Sequence, residues 1–402
     1  MASISQSALK ARLSYRKFER PAARVLLLDG NYHLVDACEQ ALVQLGHTVT
    51  RLALPTRVDE VVRGLLWNLV QHEPDMVLTI NHMGFDDSGH VAELLESLQI
   101  PVAVWYVDSP LFVLRSERFP APAYTTAFTW ESGYTPLLLA AGATHVHNLP
   151  LAVSPAFLTP TLPAHNVGPL LFVGDSMATA ISKWKGRVTT RGRPVAEAIR
   201  QALLNDRHAD IWSLAKSLWP NSPPTARLDA IAYATWRATA DYRTGLLTAL
   251  AAHGLQIVGD AGWRRLLPQA RLTPPINHGP EVASLYAGAA ININATSLQM
   301  PKAVNQRLFD VPAAGGFLLT DAQNDVARLF HPETEVATYR DAAELREKVS
   351  YYLAHPEVRA TIVRSAQERI RTAHRYEHRL AELVAIMRRR HGLTAESVKE
   401  GR

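Results

Sequence analysis

The strongest constraint on this chain is a repeated unit. A short, unbroken apolar run ends in a polar or glycine-containing loop, and a helical pattern follows. Residues 24–30, RVLLLDG, show it first. Further strand patterns lie at 48–54, 76–80, 102–106, 124–130 and 145–149, not all of them unbroken, with helical patterns at 36–45, 58–72, 91–98 and 134–141 between them. Strands with no polar alternation are buried on both faces, as in a parallel sheet covered by helices. Strand–helix alternation of this kind predicts a doubly wound α/β domain. Such sheets bind ligands outside the carboxyl ends of their strands. Here those ends are 30–33, 81–85 and 108–110.

Residues 151–168, LAVSPAFLTPTLPAHNVG, are proline-rich and carry no long periodicity, so they read as a linker. The same grammar then restarts at 170–175, LLFVGD. Residues 190–250 are rich in helix formers and broken at 220–224. Apolar strands return at 256–258, 289–293 and 317–320, with a helix at 281–288. Helices start at Asp341, where Glu344 is a capping-box partner, and at His355-Pro356, and run to about residue 390. At 402 residues, two cores are expected. The expected divisions are an extension at 1–22, a Rossmann-like domain at 23–152 and a linker at 153–168. A second Rossmann-like domain at 169–372 follows, with a helical excursion at 185–253. A helix and tail at 373–402 pack back on the first domain. Two such halves would face a cleft, where ligands sit.

Composition excludes several classes. No apolar run approaches a membrane span, and the first twenty residues lack a secretory core. The single cysteine, Cys38, rules out an intrachain disulfide and a cysteine metal cluster. It lies in a helical pattern and reads as a small packed residue. A bacterial, cytoplasmic setting is expected. The formal charge is +5, with basic residues mostly scattered and no aromatic–basic interleaving of a nucleic-acid platform. The Arg388-Arg389-Arg390 run reads as a solvated complement to a helix dipole, with peripheral membrane contact as the other reading. There is no P-loop, dinucleotide fingerprint, HExxH or GxSxG, and no metal site is expected.

The most informative stretch is 294–321, NATSLQMPKAVNQRLFDVPAAGGFLLTD. It reads as a strand end, a polar loop at 295–302, a helix at 303–314 and a Gly315-Gly316 stop before the next strand. Strand–loop–helix units of this kind hold anionic ligands. Arg307 and Asp310 lie one turn apart on that helix. They suit a phosphate and a ribose, and they equally suit a surface ion pair.

This stretch, with what flanks it, resembles the CgeB-like (spore maturation protein) glycosyltransferases, within the two-domain GT-B-type enzymes. The resemblance is carried by residues 293–296, by Asn305 to Asp321, by Leu329-Phe330, by 352–356, and by His374 with His378-Arg379. Earlier pieces are 257–260 with Trp263, residues 79–86, and 101–110 with Trp105-Tyr106-Val107-Asp108-Ser109-Pro110. It spans about 24–385 in order.

The resemblance implies a GT-B-like fold, with 23–152 as the acceptor domain and 169–372 as the nucleotide-sugar domain. It also implies a glycosyltransferase that takes a nucleotide-diphosphate sugar, UDP-linked for preference, with no further cofactor. The acceptor would be a glycan or glycoprotein. Asp310 would bind the ribose, although the wider group more often has Glu. Arg307 would face the diphosphate, aided by Lys302. Gly174 and Asp175 would approach phosphate, and Gly259, Asp260 and Trp263 would hold the base. Asn294, Gly315 and Gly316 complete the donor side. An inverting reaction needs a base in the first domain. Asp108 and His82 stand at strand exits there, and His33, Asn81 and Ser109 would line the acceptor side. Asp108 also suits an Asx turn or helix cap. His82 and His33 also suit structural roles. A retaining reaction needs no such base. Two other classes share this architecture, a nucleotide-sugar epimerase and a non-catalytic nucleotide- or glycan-binding protein.

Overall fold

A computed structural model of the chain describes residues 6–116, 118–158 and 168–392. Part of the expected linker (159–167), the first five residues and 393–402 lie outside the described residues. The chain divides into two units, one drawn from Met1–Leu151 and Tyr376–Arg402, the other from Ala152–Arg375.

In the first unit, the described residues form six parallel strands: β1 (Arg24–Asp29), β2 (Thr48–Ala53), β3 (Met76–Ile80), β4 (Val102–Tyr106), β5 (Thr125–Thr129) and β6 (Val146–Asn148). Their order is β2-β1-β3-β4-β5-β6. The order reverses at β1 and β3, so the exits of those strands are the crevice that the topology creates. β3, β4 and β5 are buried at every position, including the threonines of β3 and β5. One core gathers Leu26, Leu28, Val77, Val104 and Tyr106 from the strands and Leu65, Leu69 and Leu95 from the helices.

The helix Tyr376–His391 belongs to this first unit and buries Leu380, Leu383 and Met387. Two of its terminal arginines correct the solvated reading, while Arg389 is exposed as expected. Arg388 donates to the carbonyls of Phe18, Arg20 and Pro21, and Arg390 to those of Thr125, Pro122 and Ala123. They satisfy carbonyls that the turns leave over, at the helix end where positive charge is favoured.

The second unit repeats the architecture with β7 (Leu170–Val173), β8 (Gln256–Val258), β9 (Arg271–Thr273), β10 (Ile291–Asn294), β11 (Leu318–Asp321) and β12 (Ala337–Tyr339). The order is β12-β11-β10-β7-β8-β9, all parallel, so its reversal falls between β7 and β10. Helices Ala178–Lys185, Gly192–Asn205, Ile211–Leu218 and Pro224–Thr248 fill the long crossover from β7 to β8.

Several sequence expectations needed correction. β9 and β12 have three residues each and mixed polarity, too short for a periodicity signal. The helix expected at 303–314 is Arg307–Ala313, because 303–306 form a loop before it, with Ala303 and Val304 buried. Asp341 caps its helix through Ala343 N and Glu344 N, but Glu344 returns to Arg340 N rather than to Asp341 N. The long C-terminal helical pattern is two helices, Pro356–Ala373 and Tyr376–His391.

Because Leu383 is fully buried, Leu383→Ala should cost about 2–5 kcal/mol, the range for an aliphatic side chain cut to a methyl in a core. Arg389→Ala should cost far less. Denaturant unfolding of the full chain measures both.

Candidate functional site

In the first unit, three adjacent strand exits meet. Asp108, just after β4, accepts a hydrogen bond from Asn81 Nδ2 at 2.9 Å and from the Tyr32 hydroxyl at 3.4 Å. Asn81, just after β3, takes the backbone N–H groups of Val107 and Asp108 on its Oδ1 (2.9 and 3.2 Å). One amide thus locks the β4 exit and orients the carboxylate. Tyr32 comes from the β1 exit and lies against the exposed His33, ring centroids 4.5 Å apart. Asn81 and His82 both have left-handed backbones (φ 49° and 56°), uncommon for residues with side chains and typical of constrained sites.

His82 turns the other way, into the protein. Its Nδ1 is 2.6 Å from the Tyr106 hydroxyl, and Phe85 and Phe119 pack around the ring. Burial pushes the imidazole down to about 3. It stays neutral through the ordinary pH range, and with its Nδ1 engaged it is poorly suited to be the base expected of it. It lines a cavity of about 150 Å³ with Asp86, Glu93, Ser116 and Arg118. Ser109 is buried at the start of the helix Pro110–Leu114 and makes no side-chain cap there. Asp108 is the half-exposed acid of the group.

In the second unit, the chemistry collects where the strand order reverses. Arg243, on the helix Pro224–Thr248, is 4% exposed and reaches both sides of the reversal. Its guanidinium donates to Asp175 O beyond β7 (2.8 Å) and to Ala295 O beyond β10 (3.2 Å). Burial, and then the neighbouring Arg307, lower its pKa to about 10, so it remains a cation. Arg307 opens its helix beside Gly174: a Cβ built on that glycine would lie 3.4 Å from the Arg307 guanidinium. Its Nε is buried without a hydrogen-bond partner among the described residues. Two guanidiniums side by side at a strand exit form a natural anion seat.

The loop around this seat is built tightly. Asp260 accepts from Ser176 N and Oγ and from Gly262 N at 2.6–2.7 Å; burial raises its pKa, but these hydrogen bonds together outweigh it and keep it below the usual carboxylate range. Its partner Asp175 is shifted up, by loss of solvent and then by Asp260. Gly259 has no room for a side chain: a Cβ would lie 2.3 Å from Gly174 O. Trp263, expected against a nucleobase, is 1% exposed, donates from its indole N–H to Gly174 O at 2.8 Å, and packs edge-on to Phe172. Its role is to pin the glycine, since neither face is open to a base.

Asp310 also differs from the open carboxylate the sequence suggested. It is buried, and it accepts from Ser154 N, Gln306 Nε2 and His278 Nε2. Asn294 is buried too, bridging Thr320 Oγ1 and Asn305 Nδ2. Gly315 supplies a left-handed turn (φ 86°), and a Cβ on Gly316 would meet Tyr286 O at 2.5 Å. These residues build the support beneath the seat. Lys302 is exposed, and its carbonyl receives Asp325 N. Sequence reasoning missed Arg243, His278 and Tyr286. Arg243 sits mid-helix in a segment read only as helical, and no local signal marks it.

Residues 243–385 match the glycosyl transferase-like family. No significant match to a curated sequence was found. Among solved structures, sucrose-phosphate synthase from Thermosynechococcus elongatus aligns with a TM-score of 0.55 at 10% identity, over 92% of this chain and 99% of that one. HepE of Anabaena, in complex with UDP and glucose, aligns at 0.51 and 12% identity, over 90% and 99%. At these identities the likeness is one of fold. The two parallel six-stranded sheets and the family match together define a glycosyltransferase enzyme of the GT-B fold class.

Two outcomes follow from this geometry. His82 is neutral when folded and takes a proton below about pH 6.5 when unfolded. Its folded pKa lies below its unfolded value, so stability is full above pH 6.5 and is lost as pH falls toward 3. The slope approaches about 1.4 kcal/mol per pH unit, and it should shrink in His82→Gln when denaturant unfolding at pH 7 and pH 5 is compared. Gly259→Ala should lower the melting temperature, since backbone must move to admit the methyl group.

Proposed function

We propose that the chain transfers a sugar from a nucleotide-diphosphate sugar to a glycan or glycoprotein acceptor, as a CgeB-like member of the GT-B enzymes. The observation that carries this reading is the pair Arg307 and Arg243 at the reversal between β7 and β10, with a buried, unpartnered Arg307 Nε beside Gly174. A diphosphate supplies the charge that this pair lacks. As the sugar leaves, negative charge grows on the diphosphate, and fixed cations in a dry site stabilise it in the transition state. Because the guanidiniums provide this countercharge, the proposed reaction needs no metal. The complex of HepE with UDP and glucose supports a UDP-sugar donor.

On the acceptor side, Asp108 is the proposed base. Its carboxylate is half-exposed and oriented by Asn81 and Tyr32. A general base must reach the hydroxyl it deprotonates, and a fixed, accessible carboxylate can. His82, enclosed and neutral, supports the loop instead.

The test is incubation with UDP-, GDP- and TDP-sugars, with and without glycan acceptors, while released nucleoside diphosphate is measured. Release that rises with acceptor is the expected result, and it should persist in EDTA. Arg307→Ala should weaken nucleoside diphosphate binding by about tenfold or more, the loss of one or two charge-assisted hydrogen bonds. Asp108→Asn should leave nucleotide affinity intact and lower turnover. Equal nucleotide affinity in Arg307→Ala and wild type would remove the anion seat.

A further inference from the structure

Residues 176–196 hold five cations and no carboxylate: Lys183, Lys185, Arg187, Arg191 and Arg193. All five are exposed. Arg187 lies over the Trp184 ring at 5.1 Å, and none of the five makes an ion pair among the described residues. The next acid along the chain, Glu197, is spent on Arg200 and Arg237. Other exposed cations are paired, as Arg51 is with Asp29, Asp36 and Glu39. Helix stability accounts for only part of the run. Lys183 and Lys185 lie in the last turn of the helix Ala178–Lys185, where positive charge is favoured. Arg191 and Arg193 flank the start of the helix Gly192–Asn205, whose first turn holds no acid. Cations at that end oppose the helix dipole, so their presence calls for a partner of opposite charge.

An apolar group sits beside the cations. Gly192 N donates to Thr189 O at 3.0 Å and closes the turn between the two helices. A Cβ built on Gly192 would lie 3.0 Å from the Trp219 ring and 3.2 Å from Val188. The turn therefore rests on the end of the helix Ile211–Leu218. Leu218, next to the half-buried Trp219, is 47% exposed, and Lys216 is exposed on the same helix. Unpaired cations around an exposed leucine and a tryptophan suit a lipid interface, with phosphates for the charges and the acyl boundary for the apolar groups. A nucleic acid would instead use open aromatic faces for its bases, and Trp184 is buried beneath Arg187.

We propose that the turn 186–192, with the helix ends beside it and Leu218, is a docking surface for an anionic membrane. This goes beyond the transfer reading and does not depend on it. The β7 exit lies one eight-residue helix away, about 12 Å along its axis.

The test sediments the full chain with vesicles of phosphatidylcholine alone, or with about a quarter phosphatidylglycerol, at about 0.1 M and about 0.5 M salt. Wild type should bind only the anionic vesicles and leave them at the higher salt. Each basic residue at such a surface contributes about fivefold, equivalent to about 1 kcal/mol. The triple variant Lys185→Gln, Arg191→Gln, Arg193→Gln should therefore bind about a hundredfold more weakly. Lys185→Gln alone should show about a fivefold loss if the triple variant fails to fold. Leu218→Ser should also lose about fivefold, the worth of burying half a leucine. Arg389→Gln, which removes an exposed cation of the first unit, should bind as wild type does. Absence of binding to the anionic vesicles in wild type, or equal binding by the folded triple variant, would overturn the proposal. Full vesicle binding by Leu218→Ser, with equally tight binding of duplex DNA or a soluble sulfated polysaccharide by wild type, would overturn it in favour of a soluble polyanion.

Discussion

Arg243 is a cation with almost no water around it, and the second unit is arranged so that this is tolerable. A buried guanidinium is expensive unless its N–H groups are met. Here the acceptors are the carbonyls of Asp175 and Ala295, one from each side of the point where the sheet reverses. The long helix Pro224–Thr248 exists in the right place to deliver that side chain. Through it, the helical crossover, the β7 exit and the β10 exit are held at one point. Arg307 adds a second positive charge beside the first. The residues around them, Trp263 on Gly174 and Asp260 on Ser176 and Gly262, fix the loop so that the charges cannot relax apart.

Much of the architecture was legible because fully buried parallel strands leave an unmistakable record. Val58–His72, Met76–Ile80 and Val102–Tyr106 coincide with their sequence patterns residue for residue. The failures are equally physical. Arg271–Thr273 and Ala337–Tyr339 are edge strands of only three residues, too short to carry a period. Val304, which mimicked a helix position, is buried in a loop. The donor side was legible as a place but not as a set of roles. Sequence can put Arg307 and Asp310 on one helix, yet which of them faces outward depends on Ser154 and His278, distant in the chain. Arg243 and Trp263 make the same point in opposite directions, an unremarked residue at the centre and a suspected one in the core.

The first unit divides its labour differently. Asn81 spends its side-chain oxygen on two backbone amides and its amide group on Asp108, so a single residue sets both a loop and a carboxylate. Its left-handed conformation is shared with His82, and both residues line the cavity beneath while the Asn81 amide also reaches Asp108. The strain of two such residues in a row is held by the hydrogen bonds they make.

The helix Tyr376–His391 has a consequence for how the protein comes into being. It supplies Leu380, Leu383 and Met387 to the first unit, and its arginines close that unit's turns. During synthesis the amino-terminal sheet therefore emerges long before its last supporting helix, while Ala152–Arg375 has all its strands once residue 339 has appeared. The amino-terminal unit, although begun first, has its full set of elements only after the second unit has its own. Until then the surface that Leu380, Leu383 and Met387 cover lacks its helix.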